Sequence, residues 1–296
     1  MVTRRGFFKT AMWGSSAAVA LPSSGQHFAG LGATVRDRLW VFTAPVNSDY
    51  LHLGRRSVMT PVEFAYFMGT PNMIVVQASP REAQYGRFEP PYEQYTVAMR
   101  PLKRVVWSMV GSGGQTSAEE REQILELARH IPNFVGLMFD DFFSTKAEQG
   151  ALLRLSELRA VHERAKSGAK PLDLFVTLYV SPLDLPIDPY LELMDVITLW
   201  TWKPAELANL SANFDKLEYR WPNKRKLLGC YLVDYPGRES LSIEVMKKQC
   251  ELGLRWLQER RIEGMIFLGN TVGDLGFEAV DWTRDWVSGV AERRID

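Results

Sequence analysis

The sequence predicts an α/β protein built as a single (β/α)8 TIM barrel. Eight short apolar runs recur along its 296 residues, and amphipathic segments with helical periodicity separate them. Strands that alternate with helices over roughly 250 residues are typical of this barrel. An open doubly wound sheet is the alternative, although no glycine-rich dinucleotide motif follows the first run. The predicted strands are residues 38–44, 73–77, 104–110, 135–140, 172–180, 196–202, 226–234 and 264–269.

Three of the intervening segments carry helix signals. Ser117 and Glu120 form a capping-box pattern at the start of one helix. Residues 150–167 and 242–261 have the same 3.6-residue periodicity of apolar positions. The polar and aromatic stretch 79–101, between the second and third strands, predicts either a loop over the barrel mouth or a surface excursion.

The N-terminus has the composition of an export signal. Residues 3–9, Thr-Arg-Arg-Gly-Phe-Phe-Lys, resemble a bacterial twin-arginine signal, and a mildly apolar segment with a small-residue cleavage pattern follows. This segment is too short to span a bilayer stably. We therefore expect residues 1–25 to be a twin-arginine signal peptide and residues 33–296 to form the barrel. The twin-arginine export machinery is then a partner, and the mature protein is periplasmic or extracellular.

The bulk composition narrows the classes of partner and cofactor. The chain carries 35 basic and 35 acidic residues, so its charge gives no indication of a nucleic-acid or anionic-membrane partner. The four histidines lack metal-ligand spacing, and no nucleophile elbow or phosphate-binding loop is present. We therefore expect neither a metal nor a cofactor.

Cys230 and Cys250 are predicted to be buried free thiols, with a single bridge as the alternative in an oxidising compartment.

The chemical centre is predicted at residues 135–143, where the fourth strand ends on Asp140 and Asp141. Ligands of α/β folds bind beyond the carboxyl ends of parallel strands. Residues at the ends of the other strands should therefore surround the same hollow. The candidate substrate-binding residues at those ends are Gln77, Tyr179, Trp200, Trp202, Tyr231, Tyr235 and Asn270.

Strand parity indicates which side chains face that hollow. Residues two apart on a strand share a face, so Gly136, Met138 and Asp140 are predicted to point into the barrel. The bulkier alternate residues, from Val135 to Phe139, are then predicted to face the helices. An interior that ends in acid, tyrosine, tryptophan and amide side chains is typical of a carbohydrate cleft. Aromatic rings stack on the C–H faces of a sugar, and carboxylates and amides bind its hydroxyls.

The Asp140-Asp141 pair at the end of a fourth strand resembles the exported (β/α)8 glycoside hydrolases, above all the N-acetylhexosaminidase-type group of families 18, 20 and 84. In family 84 an adjacent Asp pair ends the fourth strand, where one Asp holds the acetamido group of the substrate and the next acts as general acid. The D-x-x-D-x-D-x-E pattern of family 18 is missing here. The resemblance implies an exported glycoside hydrolase with a carbohydrate substrate.

Two mechanisms are compatible with these acids. Neighbours on a straight strand point to opposite faces, so Asp140 and Asp141 can act together only if the chain bends after the strand. In the first mechanism both act on one side of the sugar and the substrate's acetamide is the nucleophile. In the second, one is the acid and Asp234, on the seventh strand, is the nucleophile or base. The first is favoured because an adjacent pair has a natural use in it. Phe142, Phe143 and the second carboxylate are expected to raise the pKa of the acid.

Other roles for these acids and other functions remain open. The adjacent pair could instead cap a helix over residues 144–164, and Asp234 precedes a Tyr-Pro-Gly sequence that suits a turn. The alternative functions are a non-catalytic glycan-binding TIM barrel and a lyase or isomerase that acts on a sugar acid.

Overall fold

The computed structural model describes residues 33–47, 56–77, 87–114, 116–144, 150–180 and 186–295. The predicted signal peptide lies outside these residues, and so do two of the four histidines, His27 and His52. Within them, no helix has both the length and the apolar character needed to cross a membrane.

Eight parallel strands close into a barrel, which confirms the predicted (β/α)8 fold. Each strand pairs in parallel with the next barrel strand along the chain, and the last pairs with the first. A short antiparallel hairpin of residues 233–240 follows the seventh barrel strand, so the tail of the predicted seventh strand leaves the barrel. The barrel strands are β1 (Leu39–Thr43), β2 (Asn72–Val75), β3 (Arg104–Val110), β4 (Phe134–Phe139), β5 (Asp173–Tyr179), β6 (Val196–Trp200), β7 (Arg225–Tyr231) and β10 (Gly264–Leu268), and the hairpin strands are β8 (Val233–Asp234) and β9 (Glu239–Ser240).

The helices of the described chain lie between the strands, and the predicted helix starts are largely correct. The Ser117 hydroxyl accepts a hydrogen bond from the Glu120 amide at the start of α3, and Ser242 caps α7 in the same way. The predicted 150–167 segment becomes helical only at Leu155 because Ala151 bridges back to Phe143. The helices are α1 (Pro61–Phe67), α2 (Glu93–Met99), α3 (Ala118–His130), α4 (Leu155–Lys166), α5 (Asp188–Leu191), α6 (Leu210–Arg220), α7 (Ile243–Gln258) and α8 (Glu278–Val290).

The aromatic stretch before β3 packs on the outside of the barrel in its described part. The rings of Phe88, Tyr92 and Tyr95 surround Trp107 of β3, with centroid distances of 5.2, 5.8 and 6.3 Å. Trp107 belongs to the outer core layer, between the strands and the helices. The described residues therefore contribute to the core, and residues 78–86 lie outside the described chain.

The core has an inner and an outer layer, and strand parity assigns most residues of β4 correctly. Met138 lies in the inner layer, and Leu137 and Phe139 lie in the outer layer, as predicted. Val135 is the exception, because it packs against the inner layer. The β3–β4 register shifts near the start of β4, and such a bulge reverses the alternation before it.

Both cysteines are free and fully buried, as predicted. Cys230 lies on β7 and Cys250 lies on α7. Burial raises the pKa of both thiols, so both stay protonated at neutral pH.

Candidate active site

A cavity of about 210 Å³ opens at the carboxyl ends of the barrel strands. Its lining includes both acids of the predicted pair and most of the predicted aromatic residues. The predicted residues that line it are Asp140, Asp141, Tyr179, Trp200, Trp202, Tyr231, Tyr235 and Asn270. The other lining residues are Phe42, Thr43, Ala44, Val76, Ser112, Gly113, Thr177, Leu268 and Thr271.

Asp140 lies deep in this cavity. The amide of Asp140 donates to the Val110 carbonyl at 2.9 Å, so the barrel hydrogen bonding continues one residue beyond β4. Its side chain is 5% exposed, and its Oδ1 accepts a 2.8 Å hydrogen bond from the hydroxyl of Thr177 on β5. A buried carboxylate needs such a donor, since burial without hydrogen bonds is costly.

Asp141 reaches the same cavity because the chain bends directly after the strand. Its φ of 46° lies in the left-handed region, which Asp tolerates better than most residues. Its Oδ1 accepts a 2.8 Å hydrogen bond from the hydroxyl of Tyr179, and its Oδ2 accepts one of 2.9 Å from the amide of Gly113. The bend that a shared role requires is therefore present, and two donors fix the carboxylate.

Tyr179 and Tyr231 supply phenol groups beside the acid pair. Desolvation raises the pKa of Tyr179 well above its ordinary value, and the neighbouring Tyr231 and the two carboxylates add to the effect. Desolvation also raises the pKa of Tyr231 well above its ordinary value. Both phenols therefore stay protonated throughout the working pH range and remain hydrogen-bond donors.

The aromatic wall of the cavity has a buried part and an exposed part. Trp200 is 1% exposed and donates its indole N–H to the Thr198 hydroxyl at 2.9 Å, so it forms part of the floor. Trp202 is 43% exposed and packs against Tyr235 at a centroid distance of 5.2 Å and an interplanar angle of 33°. Of the two predicted tryptophans, Trp202 has the open face that a sugar platform needs.

Two predicted substrate-binding residues, Gln77 and Asn270, form side-chain hydrogen bonds with main-chain groups. Gln77 lies outside the cavity lining, where its amide donates to the Phe88 carbonyl at 2.8 Å and accepts from the Phe88 amide at 3.0 Å. Asn270 lines the cavity, but its side chain accepts from the Ala44 amide and donates to the Ala44 and Met59 carbonyls. Both amides therefore bind main-chain groups of neighbouring segments in this structure.

Asp234 lies apart from the acid pair. It ends β8, and its Oδ1 accepts a 2.9 Å hydrogen bond from the amide of Gly237 within the hairpin turn. Its side chain is not part of the cavity lining. The predicted turn role fits this geometry, whereas the predicted nucleophile or base role would need the carboxylate inside the cavity.

Phe142 and Phe143 do not line the cavity beside the acids, so the predicted apolar wall is wrong for these two residues. Both rings lie in the outer core layer and contact Tyr190, at centroid distances of 5.9 and 6.2 Å. The helix-cap role of the acid pair is also excluded, because α4 begins at Leu155. Residues 142–144, directly after the acids, are not helical, and Phe143 pairs with Ala151 in an isolated bridge.

Two partners of the acids were not singled out by the sequence as site residues. Thr177 shares a strand face with Tyr179, two residues away, and this parity is the signal that could have identified it. Gly113 acts through its main chain, with a φ of 67°, and no side-chain pattern reports such a contact. The part of the chain that the structure describes contains no cluster of three or more His, Cys, Asp or Glu side chains suited to a metal ion.

Comparisons with solved structures find the same fold at low sequence identity. A protein from Bacteroides thetaiotaomicron assigned as an alpha-L-fucosidase superposes with a TM-score of 0.54 and 12% identity, over 90% of this chain and 99% of that one. Domain 2 of a Pyrococcus furiosus chitinase, studied with chito-oligosaccharides, gives 0.52 and 15%, over 81% and 86%. A Clostridium thermocellum protein that binds 5-methyl-5,6,7,8-tetrahydrofolic acid gives 0.52 and 11%, over 84% and 94%. No protein-family model and no curated protein matches this sequence.

Proposed function

We propose that the protein is an exported glycoside hydrolase that cleaves a glycan with Asp140 and Asp141. The observation that carries this proposal is that two adjacent carboxyl groups line one cavity beside an exposed aromatic face. Carboxyl groups are the usual acid and base of glycosidic bond cleavage. Aromatic faces stack on sugar rings, so the wall at Trp202 suits the same ligand.

The two acids have different depths, and their roles follow from this difference. Asp140 is buried, so it contacts the sugar ring that enters the cavity and orients it. Asp141 is half-buried and lies nearer to solvent, where the leaving group departs, so it is the general acid. Tyr179 and Gly113 stabilise the anion that remains after Asp141 has given its proton to the glycosidic oxygen.

The nucleophile in this proposal is the substrate's own acetamido oxygen. Among the described lining residues, the carboxyl groups are those of Asp140 and Asp141, while Asp234 is held in the hairpin. A retaining enzyme with a protein nucleophile needs a second carboxyl about 5–5.5 Å away, across the scissile bond. The acetamido oxygen instead forms a bond to the anomeric carbon as the bond to the leaving oxygen breaks. Asp140 accepts the acetamido N–H, and a water activated by Asp141 then opens the cyclic intermediate.

The structural neighbours support a glycan as the ligand class. The Pyrococcus furiosus chitinase was studied with chito-oligosaccharides, which carry acetamido groups, and it shares the barrel over most of both chains. Because the folate-binding neighbour shares the same fold, the fold by itself does not select this function.

The experiment compares wild type with Asp140→Asn, Asp141→Asn and Asp234→Asn on aryl glycosides with a 2-acetamido or a 2-hydroxyl group. We expect wild type and Asp234→Asn to hydrolyse 2-acetamido substrates, and each of the other variants to lose about 10²–10⁴-fold in kcat/KM on the phenyl 2-acetamido substrate, whose leaving group needs a proton. Tryptophan fluorescence measures glycan binding in the same samples. Binding without turnover in all four proteins would instead identify a glycan-binding barrel, and equal turnover in all four would refute the roles of the pair.

Export by the twin-arginine machinery is part of the proposal. The paired arginines Arg4 and Arg5 and the mildly apolar run after them support it. Cell fractionation of wild type and an Arg4→Lys/Arg5→Lys variant tests it, since the lysines keep the charge. We expect wild type outside the cytoplasm and the variant inside, and equal distribution of the two would contradict export by this route.

A further inference from the structure

The β8–β9 hairpin presents an aromatic ring to the cavity. Val233 pairs with Ser240 and Asp234 pairs with Glu239, so residues 235–238 form the turn. The first turn residue, Tyr235, is half-buried and lines the cavity. The hairpin thus brings a ring to the mouth from outside the barrel.

Tyr235 packs directly on the exposed tryptophan of the site. Its ring lies 5.2 Å from Trp202 at an angle of 33°, and 4.9 Å from Tyr231 at 63°. Trp202 follows β6 on an irregular segment and also contacts Tyr231 edge-on at 5.8 Å. Trp202 lies beyond the paired residues of β6, and its ring is held by Tyr235, by Tyr231 and by an edge-on contact with Tyr179 at 6.4 Å; Tyr235 is the ring nearest to it. The contacts leave 43% of Trp202 open to solvent.

Asp234 fixes the turn that carries Tyr235. Its Oδ1 accepts the Gly237 amide at 2.9 Å, a side-chain bond of the kind that closes turns. The turn packs closely on this carboxylate, because a Cβ added to Gly237 would lie 2.7 Å from Asp234 Oδ2. The side chain of Asp234 therefore ties residue 237 of the turn back to β8.

We propose that the hairpin is a specificity element, in which Asp234 fixes the turn, the turn fixes Tyr235, and Tyr235 orients Trp202 as the platform for the sugar on the leaving-group side. This inference rests on the proposed glycosidase function and adds to it a preference for oligosaccharides over substrates that carry no ring on the leaving-group side. The sugar next to the cleaved bond stacks its C–H face on the open face of Trp202. Asp234 is thus a positioning residue.

The test separates the charge of Asp234 from its hydrogen bond. Asp234→Asn keeps an acceptor oxygen for the Gly237 amide, whereas Asp234→Ala removes it. On a glycosyl fluoride, which carries no ring on the leaving-group side, we expect wild-type kcat/KM for both variants. On an oligosaccharide with the same cleaved sugar we expect Asp234→Ala to raise KM about 3- to 10-fold, as for an aromatic contact of ordinary strength, and Asp234→Asn to leave it unchanged. Loss of glycosyl-fluoride turnover in Asp234→Asn, or an unchanged oligosaccharide KM in Asp234→Ala, would overturn the inference.

A spectroscopic readout makes the test independent of catalysis. The near-UV circular dichroism of the aromatic cluster reports how Trp202 is held, and the Trp202→Phe spectrum identifies its bands. We expect Asp234→Ala to change those bands and Asp234→Asn to leave them unchanged. If Asp234→Ala folds poorly, Tyr235→Leu takes its place in the test, because it keeps the hydrogen bond between Asp234 and Gly237. We expect Tyr235→Leu to change the Trp202 bands. If no glycoside is hydrolysed, the proposed function fails while this spectrum still decides the inference, and unaltered bands in Tyr235→Leu would refute it.

Discussion

Thr177→Val tests whether the buried carboxyl group of Asp140 takes part in the reaction. The Thr177 hydroxyl donates a 2.8 Å hydrogen bond to Asp140 Oδ1, and both side chains are buried. Valine has nearly the same shape as threonine, so the change removes the donor with little effect on packing. Valine has no donor, so Asp140 Oδ1 loses this hydrogen bond.

The expected loss follows from the strength of that bond. A hydrogen bond to a charged group contributes about 1.5–3 kcal/mol, and each 1.36 kcal/mol corresponds to tenfold. If Asp140 acts as a carboxylate whose contact with the substrate strengthens in the transition state, kcat/KM should fall, with an upper limit of about 150-fold because part of the bond strength is already present in the free enzyme. A neutral Asp140 would lose a bond of only about 0.5–1.5 kcal/mol, which limits the effect to roughly 2- to 13-fold.

The assay is steady-state hydrolysis of an aryl glycoside by wild type, Thr177→Val and Thr177→Ser. Thr177→Ser is the matched control because it keeps the hydroxyl, and it should retain activity within a few-fold of wild type. Thermal unfolding of all three proteins checks that the barrel is intact. A kcat/KM for Thr177→Val within twofold of wild type would refute the assignment of Asp140 to the reaction.

Three further predictions concern the surroundings of the site. Gly229→Ala should lower the free energy of unfolding by about 1–3 kcal/mol in urea, because the added Cβ would lie 2.1 Å from the Trp200 ring. Gly289→Ala is the control and should not destabilise the fold, because no atom lies within 4 Å of its added Cβ. In Tyr231→Phe, the alkaline limb of the profile of kcat/KM against pH should stay where it is in wild type. The raised pKa of the Tyr231 phenol keeps that group neutral up to higher pH, so its ionisation removes no activity below about pH 10. A shifted limb would contradict this. Gln77→Ala should lower the thermal midpoint while kcat/KM stays near wild type, and the reverse pattern would show that Gln77 contacts substrate.

The barrel was predictable because its signals are local. Each barrel strand is a short run buried on both faces, and each run stands out between amphipathic segments. The hairpin after β7 was missed because residues 226–234 read as one continuous run. The orientation of Val135 was missed because a bulge leaves no mark in the pattern of apolar residues.

The site was predictable in position and less so in detail. Strand ends indicated where Asp140 and Asp141 lie, and parity placed Asp140 inside the barrel. The bend at Asp141 depends on a left-handed φ of 46°, which the sequence does not encode at a non-glycine residue. Gln77 and Asn270 occupy strand ends as predicted, but their amides bond the main chain. Residue type and position alone cannot distinguish that use from substrate binding.

The most direct test of the central claim is the leaving-group dependence of Asp141→Asn. Aryl glycosides from dinitrophenyl to unsubstituted phenyl require progressively more protonation of the leaving oxygen. If Asp141 is the general acid, the kcat/KM of the variant, which reports the steps up to leaving-group departure, should stay near the wild-type value for the dinitrophenyl substrate and fall about 10²–10⁴-fold for the phenyl substrate. A loss of the same size across the whole series, or no loss at all, would contradict the assignment.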